Sequence, residues 1–211
     1  MATQNGKSVT YLIVAFFLTE IALITMVLPY SWMQSIGSHD REYAYTWFGE
    51  KFDASTLGQA TGWYNKLFIN SGVKQSSYDL LINKWDAKGA VKIDDRGLSK
   101  IAIERLNTMW SALGLALYRL SEIIKWLVLM SPLIFGIFVD AITQREINKW
   151  KFSGPSPSTH LASEICIKFI FVLFIVIPIA PIPMFSPIIP FGIGIMAISI
   201  WVLIVNMSKN I

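Results

Sequence analysis

The chain has 211 residues, of which 54% are hydrophobic and only 15% charged. A soluble globular domain carries about a quarter charged residues, so this composition excludes an ordinary soluble fold and points to a bilayer as part of the solvent. The net charge of +4 is too small to mark a nucleic-acid surface and is more informative about membrane orientation.

Residues 9–28 form an almost unbroken apolar run. At about 1.5 Å per residue, 20 residues span roughly the 30 Å hydrocarbon core. The run is longer than the h-region of a cleaved signal and lacks a small-x-small site, so it reads as a retained anchor. Tyr30 and Trp32 at its exit are the aromatics expected at headgroup level.

Residues 31–98 follow as the only sizeable polar region. They are nearly charge-balanced, rich in Trp, Tyr and Phe, and therefore too aromatic for a disordered linker. A chain of this length buries only a limited core alone, which predicts a small helical subdomain leaning on the membrane or on a partner. Gly49, Gly58, Gly62, Gly72, Gly89 and Gly97 are expected to break it into short pieces.

From Leu98 the pattern changes. Ala102, Leu106, Met109, Leu113, Leu117, Leu120, Ile124 and Leu127 recur every three or four residues, the signature of one helix face. With Ser99 as N-cap and no turn residue before Pro132, residues 99–151 read as one long helix. It is amphipathic at first and then transmembrane, with a kink expected at Pro132. Arg119, Glu122 and Lys125 are three apart and predict an ion ladder along one side. Residues 152–164, with Pro155 and Pro157, read as a loop. Residues 165–211 read as a transmembrane hairpin with arms 165–177 and 188–205, tipped by Pro178, Pro181, Pro183 and Pro187. The first arm is short for a full crossing, which leaves a re-entrant hairpin open. Gly192 and Gly194 on the second arm allow close helix approach.

The fold class read from the residues is thus all-α, an integral membrane protein with about four transmembrane helices and a small helical extracytoplasmic domain. With four spans, Lys7, the Arg145, Lys149, Lys151 and Lys168 group, and Lys209 share one side. The positive-inside rule makes that side cytoplasmic, with both termini there and residues 31–105 outside.

Chemistry is sparse. The two histidines, His39 and His160, and the single Cys166 cannot supply the converging ligands of a metal centre, and Cys166 has no cysteine to pair with. Ser158 and His160 are too weak a pair for a nucleophile and base, and no phosphate-cradling glycine loop is present. No enzyme activity and no cofactor are expected. Glu20 lies inside the first apolar run. An ionisable group at that depth is either an intramembrane helix contact, the commoner role, or part of an ion path. Arg145, Lys149, Trp150 and Lys151 form a basic, aromatic patch at the helix exit, suited to anionic lipid or to a protein partner and too small for direct nucleic-acid binding.

Three sets of residues carry a resemblance. Val139-Asp140, Arg145-Glu146-Ile147, Lys149-Trp150-Lys151-Phe152, Ser156-Pro157 and His160 form one. Trp63-Tyr64 with Leu67-Phe68-Ile69-Asn70-Ser71-Gly72-Val73 forms the second, and Leu117-Tyr118-Arg119-Leu120-Ser121 with Trp126 the third. In this order they resemble the integrating conjugative element membrane proteins, with Ala141 standing where that family usually has glycine. The resemblance implies a non-catalytic inner-membrane component of a conjugative type IV secretion system. It would be an adaptor that binds the coupling-protein ATPase and other secretion subunits in a hetero-oligomer. A small ion-coupled transporter using Glu20, and an entry-exclusion or surface-interaction protein, are the rival readings.

Overall fold

A computed structural model of the protein describes residues 19, 27–86, 95–150 and 156–207. The first apolar run and Glu20 lie almost wholly outside the described residues, as do Gly89 and Lys151. All regular structure among the described residues is helical.

Helix α1 spans Tyr30–Phe48. Pro29, in extended conformation, accepts the N–H groups of Trp32 and Met33 and so starts it. Its buried residues are Met33, Ile36, Asp40 and Ala44, a three–four stripe that puts one acid on an otherwise apolar face. Gly49 stops the helix with φ +85° while its N–H donates to the Tyr45 carbonyl at 2.9 Å, a conformation that excludes most side chains. Helix α2, Glu50–Tyr64, starts at once, with Glu50 and Asp53 in its first turn, where the helix dipole favours acids. A π-helical turn, Asn65–Ile69, prolongs it. Gly72, at φ +74°, ends the run before α3, Val73–Asp86.

Five of the six glycines expected as breaks are described, and of these Gly49 and Gly72 act as breaks. Gly58 and Gly62 sit inside α2 and Gly97 inside the next helix. A single glycine costs a helix only about 1 kcal/mol, which burial of Thr56 and Ala60 on the same helix outweighs.

Helix α4 runs unbroken over Asp95–Trp150, 56 residues. It begins one turn before the expected cap, so Ser99 is interior. It also continues through Pro132. A proline removes one donor and frees the carbonyl four residues earlier. Here that carbonyl belongs to Val128, and the hydroxyl of Ser131 donates to it at 2.8 Å.

Helix α5 spans Pro157–Val176, with its proline at the first helical position, where a missing N–H costs nothing. Residues 157–164 are thus helix rather than loop, and α5 has 20 residues. The shortness that left a re-entrant arm open does not apply to it. Helix α6, Ile188–Val205, matches the expected second arm. The two arms pack on each other. A Cβ on Gly192 would lie 2.9 Å from the Phe174 ring, whereas Gly194 has open space. Gly192→Leu is expected to destabilise the hairpin by about 1–3 kcal/mol through overpacking, and Gly194→Leu to be neutral or better. Thermal unfolding of the two variants in detergent separates these outcomes.

Among the described residues, three helices are long and apolar enough to cross a membrane: within Lys100–Trp150, Ser158–Val176 and Ile188–Val205. Their large exposed side chains, among them Val128, Phe135, Phe138, Phe169, Phe171, Phe191 and Ile198, are those expected against lipid rather than water.

The described residues separate into two compact units. One runs to Ser121 and includes Pro178–Met184; the other holds Glu122–Ile177 and the chain from Phe185. The proline-rich tip of the hairpin is therefore a member of the first unit. That assignment positions the site.

Candidate functional site

An acid on an apolar helix stripe needs a cation. Asp40 on α1 finds it in Arg119 on α4, whose Nε donates to Oδ2 at 2.6 Å, with both side chains 0% exposed. The guanidinium is then shared with the hairpin tip. Its two terminal nitrogens donate to the carbonyls of Ala180 and Ile182, each at 2.6 Å. Asp40 reciprocates by accepting the backbone N–H of Met184 on Oδ1 at 2.6 Å. One buried ion pair thus supplies both a donor fork and an acceptor to a proline-rich segment that has no regular backbone pairing of its own. Burial pushes the Asp40 carboxyl upward in pKa, while Arg119 and the Met184 amide pull it back.

Around this seat the first unit closes with a small apolar layer. Met33 and Ile36 of α1 pack with Ala112 and Leu115 of α4, joined by Leu28 and by Ile179 of the tip. Arg105 on α4 donates to the Leu28 carbonyl at 3.0 Å, which ties down the end of the first apolar run.

A second buried acid lies one helix on. Asp53 on α2 accepts the Tyr118 hydroxyl at 2.8 Å and the Arg41 guanidinium at 2.9 Å. Ser121 bonds the Thr56 carbonyl at 3.2 Å and Gln59 at 2.9 Å. Tyr118, Arg119 and Ser121 all belong to the third resemblance block. Their polar atoms dock α1, α2 and the tip against α4.

The second block, from Trp63 to Val73, covers the end of α2, the π-turn and the start of α3. Its Tyr64 and Phe68 meet Trp110 of α4 edge-on, at ring-centroid separations of 6.4 and 5.2 Å. The Trp110 indole N–H donates to Ser77 Oγ at 3.2 Å, and the Tyr78 hydroxyl to Asn107 Oδ1 at 2.6 Å. The π-turn, which widens the helix by one residue, directly follows Tyr64 and contains Phe68.

In the second unit, the first block supplies a contact between α4 and α6: Trp201 Nε1 donates to Asp140 Oδ2 at 2.7 Å. Ala141, beside it, is fully buried, consistent with the need for a small residue there.

The residues singled out in the sequence are distributed as follows. Arg119 and Glu122 are fully buried and Lys125 half-buried; Arg119 is committed to the Asp40 seat. At the exit of α4, Lys149 pairs with Glu146 one turn earlier, Arg145 is half-buried, and Trp150 is 87% exposed. Ser158 bonds Ser156, and His39 lies near Glu42 on the surface. Among the described residues no three His, Cys, Asp or Glu converge as metal ligands. Sequence reading missed Asp40 and Asp53. A signal was present for Asp40, a carboxylate set on the three–four stripe of Met33, Ile36 and Ala44.

The geometry of the described residues defines an all-helical protein with membrane-length helices and a polar-sealed helical unit. Over residues 43–208 the chain matches the family described as IncC plasmid conjugative DNA transfer protein DtrJ-like. It belongs to that family and so has a role in conjugative DNA transfer; the resemblance pointed to a conjugation-related family, but the match is to this one and not to the integrating conjugative element membrane proteins. No curated protein and no solved structure matches it.

Proposed function

We propose that this protein is a non-catalytic inner-membrane component of a conjugative type IV secretion system, an adaptor that binds the coupling-protein ATPase and supports DNA transfer. The observation that carries the reading is the family match across residues 43–208, on a chain with three membrane-length helices. Binding partners through lipid-embedded and interfacial surfaces is what such a chain can do with little chemistry of its own.

A four-span topology with both termini cytoplasmic fits this role. The tip at Pro178–Met184 belongs to the same unit as α1–α3 and is bonded to Asp40 and Arg119. That favours a hairpin that crosses fully toward a periplasmic domain. The Arg145, Lys149, Trp150 and Lys151 patch would then face the cytoplasm, available to anionic lipid or to the ATPase.

Pull-down of the tagged protein from mild detergent is expected to recover the coupling ATPase or a channel subunit from donor cells. Recovery of neither, from cells in which transfer is intact, would overturn the adaptor role.

A further inference from the structure

A half-open pocket of about 220 Å³ lies on the first unit, between α1, the end of α2, α3 and α4. Its wall includes Tyr30, Tyr64, Lys74, Tyr78, Asn107 and Trp110. It is smaller than the 300–1,000 Å³ or so of pockets that take drug-sized ligands or cofactors, so a compact group is the natural occupant.

Among the described residues the lining is rich in donors and contains one cation, Lys74, with no Asp or Glu. Lys74 Nζ sits 5.2 Å from the centroid of the Tyr64 ring, which steadies the ammonium without neutralising it. Asn107 spends its carbonyl oxygen on the Tyr78 hydroxyl at 2.6 Å, so its amide N–H groups remain the part it can offer a ligand. Tyr30 accepts from Gln34 Nε2 at 2.7 Å, which leaves its own hydroxyl proton to give. The Tyr78 hydroxyl proton is spent on its bond to Asn107, so Tyr78 orients the Asn107 amide rather than donating to a ligand. Several neutral donors converging with one ammonium, and no carboxylate, are the complement of a multi-oxygen anion.

Position narrows the source. Tyr30 comes two residues after Leu28, whose carbonyl Arg105 holds and which closes the first apolar run. Where that run spans the bilayer, the pocket opens at headgroup level.

We propose that this pocket binds a phosphate-bearing anion: the headgroup of an anionic phospholipid or a soluble phosphate.

The test uses the full chain in neutral detergent, titrated calorimetrically with inorganic phosphate and with short-chain phosphatidylglycerol, against sodium chloride at matched ionic strength. The wild type is expected to bind at least one phosphate probe. Lys74→Gln and Asn107→Asp, which keeps the Tyr78 acceptor but adds a negative charge, are each expected to weaken binding about tenfold or more. Lys74→Arg is expected to retain it. Binding of phosphatidylglycerol identifies the lipid as source, and binding of inorganic phosphate alone identifies a soluble ligand. The proposal is overturned if neither probe binds the wild type above the chloride control. It is equally overturned if folded Lys74→Gln and Asn107→Asp bind as tightly as the wild type. Unliganded melting curves report whether each variant is folded.

Discussion

Arg119→Ala is expected to lower the stability of the first unit by about 3–5 kcal/mol, the cost of breaking a fully buried ion pair from one side. The loss has two parts. Asp40, 0% exposed, is left without its guanidinium, and the carbonyls of Ala180 and Ile182 lose the donors that hold them at 2.6 Å. Because an ion pair can often be replaced by apolar residues at little net cost, the double variant Arg119→Met, Asp40→Leu is the informative partner. It should recover the charge part but not the hydrogen bonds to the tip. A double-mutant cycle on chemical denaturation in detergent reads the difference. An Arg119→Ala protein as stable as the wild type would mean that the seat contributes nothing to the fold.

Trp110→Ala should be nearly as damaging, at about 3–5 kcal/mol, the range for a buried large aromatic. Trp110 is buried and meets both Tyr64 and Phe68 edge-on while bonding Ser77, so one side chain joins α2, the π-turn and α3 to α4. Trp110→Phe keeps much of the ring contact and loses the indole donor, with an expected cost nearer 1 kcal/mol for one hydrogen bond. Near-ultraviolet circular dichroism together with melting would grade the two. Equal losses would show that the hydrogen bond, not the packing, holds the junction.

Much of this architecture was legible before any coordinates. Unbroken apolar length announced α5 and α6, and the three–four spacing from Ala102 to Leu127 announced α4. Those signals are local, and a helix closes its hydrogen bonds locally. The errors were also local in kind. Proline and glycine suggest stops at Pro157, Gly58 and Gly62, where a first-turn position or neighbouring burial removes the penalty.

The polar seat was illegible for a different reason. Asp40 and Arg119 are 79 residues apart and Asp40 and Met184 are 144 apart. Single-sequence spacing contains no information about partners at that distance. The three-residue spacing of Arg119 from Glu122 points along its own helix and says nothing of a partner on another. A carboxylate placed among Met33, Ile36 and Ala44 was the available warning that a partner lay elsewhere.

The way the hairpin tip is held has a consequence for how the protein is made. Asp40 and Arg119 emerge from the ribosome well before Ala180, Ile182 and Met184, so the last hydrogen bonds of the first unit wait for the closing hairpin. That unit therefore cannot be completed before the closing hairpin has been made. A chain whose last two helices fail to insert leaves a charged pair with its remaining hydrogen-bonding capacity exposed. Membrane quality control has a reason to recognise such a species as unfinished.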